Sequence, residues 1–140
     1  MNNEFVDYQT AVRLKAASFD EPCISHWAAE PDGKPVLVGS TAFVFNNSEL
    51  KGRDVVAPFL WQAAKWLRKK KGIAINVDAH DGDFYTGEVV FLSNASDEAK
   101  IEATFSEKFS PYVKKFKSYE EAFHDILNAA LDLINPEKKE

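Results

Sequence analysis

The residues best suited to chemistry lie in one stretch of six, Asp78-Ala79-His80-Asp81-Gly82-Asp83. Three carboxylates and an imidazole this close together are a candidate ligand set for a divalent cation. They offer oxygen ligands for Mg²⁺ or Ca²⁺, and His with Asp for Zn²⁺. On that reading Asp78, His80, Asp81 and Asp83 hold the metal of a hydrolase or nuclease. The spacing is not that of a calcium loop, which needs acceptors at alternate positions and a late Glu. The same residues also suit the turn of a hairpin, where Asp and Gly are favoured for backbone reasons.

A second group is basic. Lys65, Arg68, Lys69, Lys70 and Lys71 fall between residues 61 and 72 with no acid among them. Cations at a helix C-terminus complement the macrodipole. The same side chains can contact a phosphate backbone or an acidic protein. On a helical wheel with Phe59 at zero, Trp61 falls at about 200°, outside the apolar arc and beside Lys65 and Arg68. Trp61, Lys65, Arg68 and Lys69 are therefore a candidate binding set, with the tryptophan stacking on a base or anchoring a protein interface. The structural alternative is a Trp61 tucked under a neighbouring loop.

Cys23, His26 and His124 invite a nucleophile–base reading. Cys23 and His26 are three apart in a predicted strand, so their side chains point to opposite faces and do not pair. His124 falls at the border of a helix's apolar face. No Gly-rich phosphate loop, nucleophile elbow or Cys-x-x-Cys pair is present. No catalytic residue and no cofactor is expected.

The elements that must position these groups follow from periodicity. Residues 6–17 read as a helix with Asp7 as N-cap, Tyr8, Val12 and Phe19 recurring at helical spacing with Ala11 and Leu14 nearby. Residues 23–28 and 35–39 read as strands joined at Pro31-Asp32-Gly33-Lys34, with residues 42–45 a third strand and 46–56 a polar loop. Residues 57–71 read as a helix with Pro58 in its first turn and Gly72 as its stop. A hairpin spans residues 73–92 with its turn at 80–83. In residues 93–111, Ile101, Ala103 and Phe105 alternate, which favours a strand, although Ser96-Asp97-Glu98-Ala99 could open a helix. The last helix begins with a capping box at Ser118-Tyr119-Glu120-Glu121 and ends at Asn135-Pro136. Its expected apolar face is Tyr119, Phe123, Ile126, Leu127, Ala130, Leu133 and Ile134, with Glu121, Asp125, Asn128 and Asp132 outward.

The expected fold is a single α+β domain over residues 1–136, with residues 137–140 a frayed tail. It has an antiparallel sheet of about four to six strands and three helices, in the order α-ββ(β)-α-ββ(β)-α, the helices largely on one face.

At 140 residues, with 45% apolar and 28% charged side chains and six Gly and six Pro, the chain is neither disordered nor collagen-like. The net charge of -5 is uneven: -3 over residues 1–60, +5 over 61–72, -6 over 73–110 and -1 over 111–140. An acidic chain with one basic helix is a poor general coater of DNA, but it leaves room for a local basic site. The single cysteine fits a reducing compartment. The first 20 residues lack a basic start and an apolar run, and no run approaches a membrane span, so a cytoplasmic protein is expected. Aromatic residues are 13% of the chain. They fit an aromatic core, or an interface lined by Trp27, Phe45 and Trp61.

Three stretches carry a resemblance: LKAASFDEP at 14–22, APFLWQAAKWLRKKKGIAINV at 57–77 and SYEEAFHDILNAALDLI at 118–134. Together they resemble a group of small hypothetical proteins common in phages, prophages and mobile elements of gut Bacteroidales. The resemblance covers 47 of the 140 residues and is most specific in the middle stretch. It implies mobile-element origin and intracellular action in an infected or lysogenic bacterium, and it transfers no activity and no site residue.

The function expected from these features is non-enzymatic: an accessory protein that binds a macromolecular partner or itself, a protein rather than a nucleic acid. The alternatives are the metal-dependent hydrolase or nuclease on residues 78–83 and a nucleic-acid binder on the basic 61–71 helix.

Overall fold

The computed structural model describes residues 4–29, 31, 33–39, 42–104 and 114–134. They form an α+β protein with four α-helices and two antiparallel sheets, of three and two strands. The sequence leads one to expect three helices and a larger sheet. The chain divides into two compact units, Met1–Ala63 and Ala64–Glu140.

In the first unit, α1 (Tyr8–Ala16) starts where Asp7 accepts the Thr10 N–H at 2.8 Å. Such a cap is worth about 1 kcal/mol. Its buried face is Thr10, Ala11 and Leu14, so of the expected apolar set Ala11 and Leu14 form the helix's contact with the core. Val12 is exposed, and Phe19 is buried from beyond the helix end. Strands β1 (Ser25–Ala28), β2 (Val36–Gly39) and β3 (Val55–Val56) lie in the order β2-β1-β3, each pair antiparallel. Ser25 pairs with Gly39 and His26 with Val56, and α1 packs on β3. The β1–β2 pairing is that of the predicted hairpin, although Asp32 of its turn lies outside the described residues.

Two expectations fail here. Residues 42–45 give no strand; Phe45 makes a single bridge to Cys23. The third strand is Val55–Val56, inside the expected loop, because both valines are buried and their backbone needs partners. Asn47 supplies one of them. This buried side chain accepts the Val56 N–H at 2.9 Å and donates to the Phe19 carbonyl at 2.8 Å. Asn46 donates to the Asp20 carbonyl at 2.7 Å, and the Ser48 N–H donates to the Asp20 carboxylate at 2.8 Å. The Asn46-Asn47-Ser48 run, which looks like a pattern breaker, is a knot tying the α1 exit to β3.

Helix α2 (Leu60–Trp66) starts later than predicted. Phe59 bridges to Phe5 and the Pro58 carbonyl accepts the Val6 N–H at 3.0 Å, which keeps Pro58 ahead of the helix. The division between the units falls within α2. From Leu67 to Lys71 the winding widens to a π turn, with the Gly72 N–H reaching back to the Leu67 carbonyl. Gly72 closes it in the left-handed conformation, as predicted.

In the second unit, β4 (Ile73–His80) and β5 (Phe84–Phe91) pair along their full length, from Ile73↔Phe91 to His80↔Phe84. Helix α4 (Tyr119–Ile134) packs on this hairpin. The Gly87 backbone comes so close to α4 that an added Cβ would stand 2.9 Å from Ile126. Ser118 caps α4 as predicted, accepting the Glu121 N–H at 3.1 Å and donating to its carboxylate at 3.2 Å. Two faces of α4 are reassigned: Tyr119 is exposed, and Asp132 is buried. Each Leu so buried, Leu127 and Leu131 among them, contributes about 1.5–3 kcal/mol over an exposed one.

The strand expected near Ile101 and Ala103 is a helix, α3 (Asp97–Thr104), packed on α4. Ser96 opens it by accepting the Ala99 N–H at 3.1 Å, so local capping overrides the alternation. Phe105, Asn135, Pro136 and the tail lie outside the described residues. Among the described residues, no helix is long and apolar enough to cross a membrane.

Candidate functional site

The 78–83 stretch is the tip of the β4–β5 hairpin. Asp78 and His80 sit two apart on β4, on the face opposite the Val77–Gly87 pair. Asp81, Gly82 and Asp83 form the connection, with Gly82 at φ 95° and Asp83 at φ 62°. Aspartate is among the few non-glycine residues that tolerate this region, which accounts for Asp83 on backbone grounds. The His80 ring is engaged by its neighbours. Its Nε2 lies 2.8 Å from Thr86 Oγ1, and the ring stacks on Phe84 with centroids 4.7 Å apart. Lys115 covers the same Phe84 ring at 4.8 Å. Among the described residues, no group of three or more His, Cys, Asp or Glu side chains is placed to hold a metal ion.

The Cys23 thiol is buried, 3.4 Å from the Glu21 carbonyl it donates to. Burial pushes its pKa up to about 12, and the Glu21 charge adds to the rise while a Gln62 hydrogen bond opposes it. A thiol held protonated is neither a nucleophile nor a ligand. His26 packs against Phe45, the rings tilted at 60° with centroids 4.5 Å apart. His124 belongs to α4 of the other unit, where its carbonyl accepts from Asn128 at 2.9 Å. Native Cys23 should therefore alkylate with iodoacetamide at pH 8 about 100-fold or more slowly than the same residue in urea. Folding raises this pKa from 9.0, so the group leaves stability unchanged below pH 9. Stability then falls as the pH rises toward about 12, because the unfolded thiol ionises first.

Of the three aromatics expected at an interface, two are structural. The Trp27 indole donates to the Val6 carbonyl at 3.0 Å, and half-buried Phe45 packs on His26 while its backbone bridges to Cys23. Trp61 is different: it is 62% exposed. It is the outer ring of a stack in the first unit. Phe5 and Phe59 lie 4.5 Å apart at 22°, and Phe59 and Trp61 5.8 Å apart at 14°. The helical wheel places Trp61 outside the buried arc, and the structure agrees; the stack beneath it has no local signal, because Phe5 is distant in sequence. Val36, Val38, Phe43 and Val44 are also exposed in this unit.

The cations Lys65, Arg68 and Lys69 belong to the second unit, and Trp61 to the first. Lys65, Arg68, Lys69 and Lys70 are exposed, while Lys71 lies with its Nζ 5.7 Å over the Trp66 ring. None of the five makes an ion pair with a described carboxylate. Asn94 steadies the π turn by donating to the Lys69 carbonyl at 3.3 Å. Lys70 and Lys71 also border a cavity of about 460 Å³, lined in addition by Ser96, Glu98 and Glu102 and the end of α4. Compared with protein-family models, curated proteins and solved structures, the chain matches none.

Proposed function

We propose that this is a non-enzymatic binding protein, an intracellular accessory of a mobile element as the sequence resemblance implies, which docks another protein on its first unit. The observation that carries the reading is Trp61, exposed and stacked as the outer of three rings. An aromatic ring fixed before binding surrenders little rotamer entropy on contact, which is what makes tryptophan an effective interface anchor. The unit that carries it has five basic and eight acidic residues, a charge balance that repels phosphate and tolerates an apolar protein surface.

The test is quantitative capture from a bacterial extract, with the wild type and Trp61→Ala as parallel baits. A protein retained by the first and lost by the second supports the proposal. Identical capture by both baits contradicts it. Light scattering separates the case in which the partner is a second copy, since a Trp61-dependent dimer would then form without extract.

A further inference from the structure

We infer that the basic end of the second unit's leading helix, Lys65 with Arg68, Lys69 and Lys70, is a contact for the phosphodiester backbone of duplex nucleic acid, made without sequence preference. Completing a helix dipole needs one or two cations in the last turn. Here there are five within seven residues, with no ion pair to a described carboxylate. Lys65 and Lys69 are four apart on the winding, a spacing at which like charges repel. The dipole accounts for part of the run, and an external polyanion is the chemistry that relieves the repulsion left between the exposed cations.

The π turn sorts these side chains. Widening the winding to i→i+5 brings Lys71 over Trp66, five residues back, where the cation–π contact engages it. Lys65, Arg68, Lys69 and Lys70 remain exposed. Lys70 also borders the cavity that holds Glu98 and Glu102, so it is the most screened of the four. Trp66 is buried, so the tryptophan of this helix end offers no face on which a base could stack. Cations without a stacking platform or a groove-reading side chain contact phosphates and not bases. Outside residues 61–72 acidic residues outnumber basic ones, so the contact is local and weak, in the micromolar range or above at physiological salt.

The measurement is the anisotropy of a labelled duplex DNA of about 20 base pairs, the span of roughly two helical turns, titrated at 50 to 200 mM salt. Up to four phosphate contacts give a wild-type affinity that falls about 100-fold across that range. Lys69→Glu with Lys70→Glu should weaken binding at least 10-fold at 50 mM and reduce the log–log salt slope by about two. Lys51→Glu with Arg53→Glu makes the same change in net charge in the first unit and should leave the slope unaltered. If the reversed pair disturbs folding, Lys65→Gln with Arg68→Gln gives the same reading by slope. Absence of binding at 50 mM salt, or equal losses from the two charge-matched pairs, overturns the proposal. So does tighter binding of polyglutamate than of DNA, which would make the partner an acidic polypeptide.

Discussion

Asn47→Ala is expected to lower the stability of the protein by about 3 kcal/mol, measured as the shift of a urea unfolding curve followed by circular dichroism. Asn47 is buried, and its amide bonds two backbone groups from opposite ends, the Val56 N–H and the Phe19 carbonyl. Alanine leaves both of those groups in the interior without a partner, each at about 1–3 kcal/mol. The comparison is Asn46→Ala, next in sequence, whose bond to the Asp20 carbonyl is exposed. That loss should be at most about 1 kcal/mol, because water replaces the donor. Equal effects from the two substitutions would mean that burial does not set the energy of this knot.

Gly72→Ala is expected to be as damaging in the second unit, again about 3 kcal/mol, from strain and overpacking together. Gly72 has φ 70°, and a Cβ there would stand 2.4 Å from the Ala95 nitrogen and 2.6 Å from Asn94 Oδ1. Both neighbours are held: the Ala95 N–H donates to the Leu92 carbonyl at 3.0 Å, and the Asn94 amide donates to the Lys69 carbonyl at 3.3 Å. Gly52 provides the control. Its φ is 64°, but no atom lies within 4 Å of an added Cβ. Gly52→Ala therefore reports backbone strain alone, about 1 kcal/mol, and the remainder at Gly72 is steric. Two equal thermal shifts would exclude the steric part.

These two positions also mark where the sequence is legible. Gly72 announces itself, because a glycine after a long amphipathic run is a helix stop whatever surrounds it. The same local logic reads Asp7 and Ser118 as caps and places the 73–92 hairpin, since alternation and turn chemistry act over a few residues. Asn47 gives no such signal. An asparagine in Asn46-Asn47-Ser48 looks like loop punctuation, and its value comes from Phe19 and Val56, which only the fold brings to it. Two-residue β3 is too short to show alternation. The α3 segment offered two periods at once, and the Ser96 cap decided between them. Asp132 lies where the wheel puts solvent, and tertiary packing buries it.

The candidate sites divide in the same way. That Trp61 lies off the apolar arc is local information; that it rests on Phe59 and Phe5 is not. The Asp-rich 78–83 turn was open to a ligand or a backbone reading, and the left-handed Asp83 and the His80–Thr86 contact favour the second.

On the proposed function, Trp61 anchors a protein partner through apolar contact. The most direct test is the affinity of the purified captured partner for the wild type and for Trp61→Ala, each at 50 and 300 mM salt. Loss of a central aromatic anchor should weaken binding by about 30-fold or more, and the wild-type affinity should change by less than about threefold with salt. Equal affinities for the two proteins, or a wild-type affinity that collapses with salt, would contradict that role for Trp61.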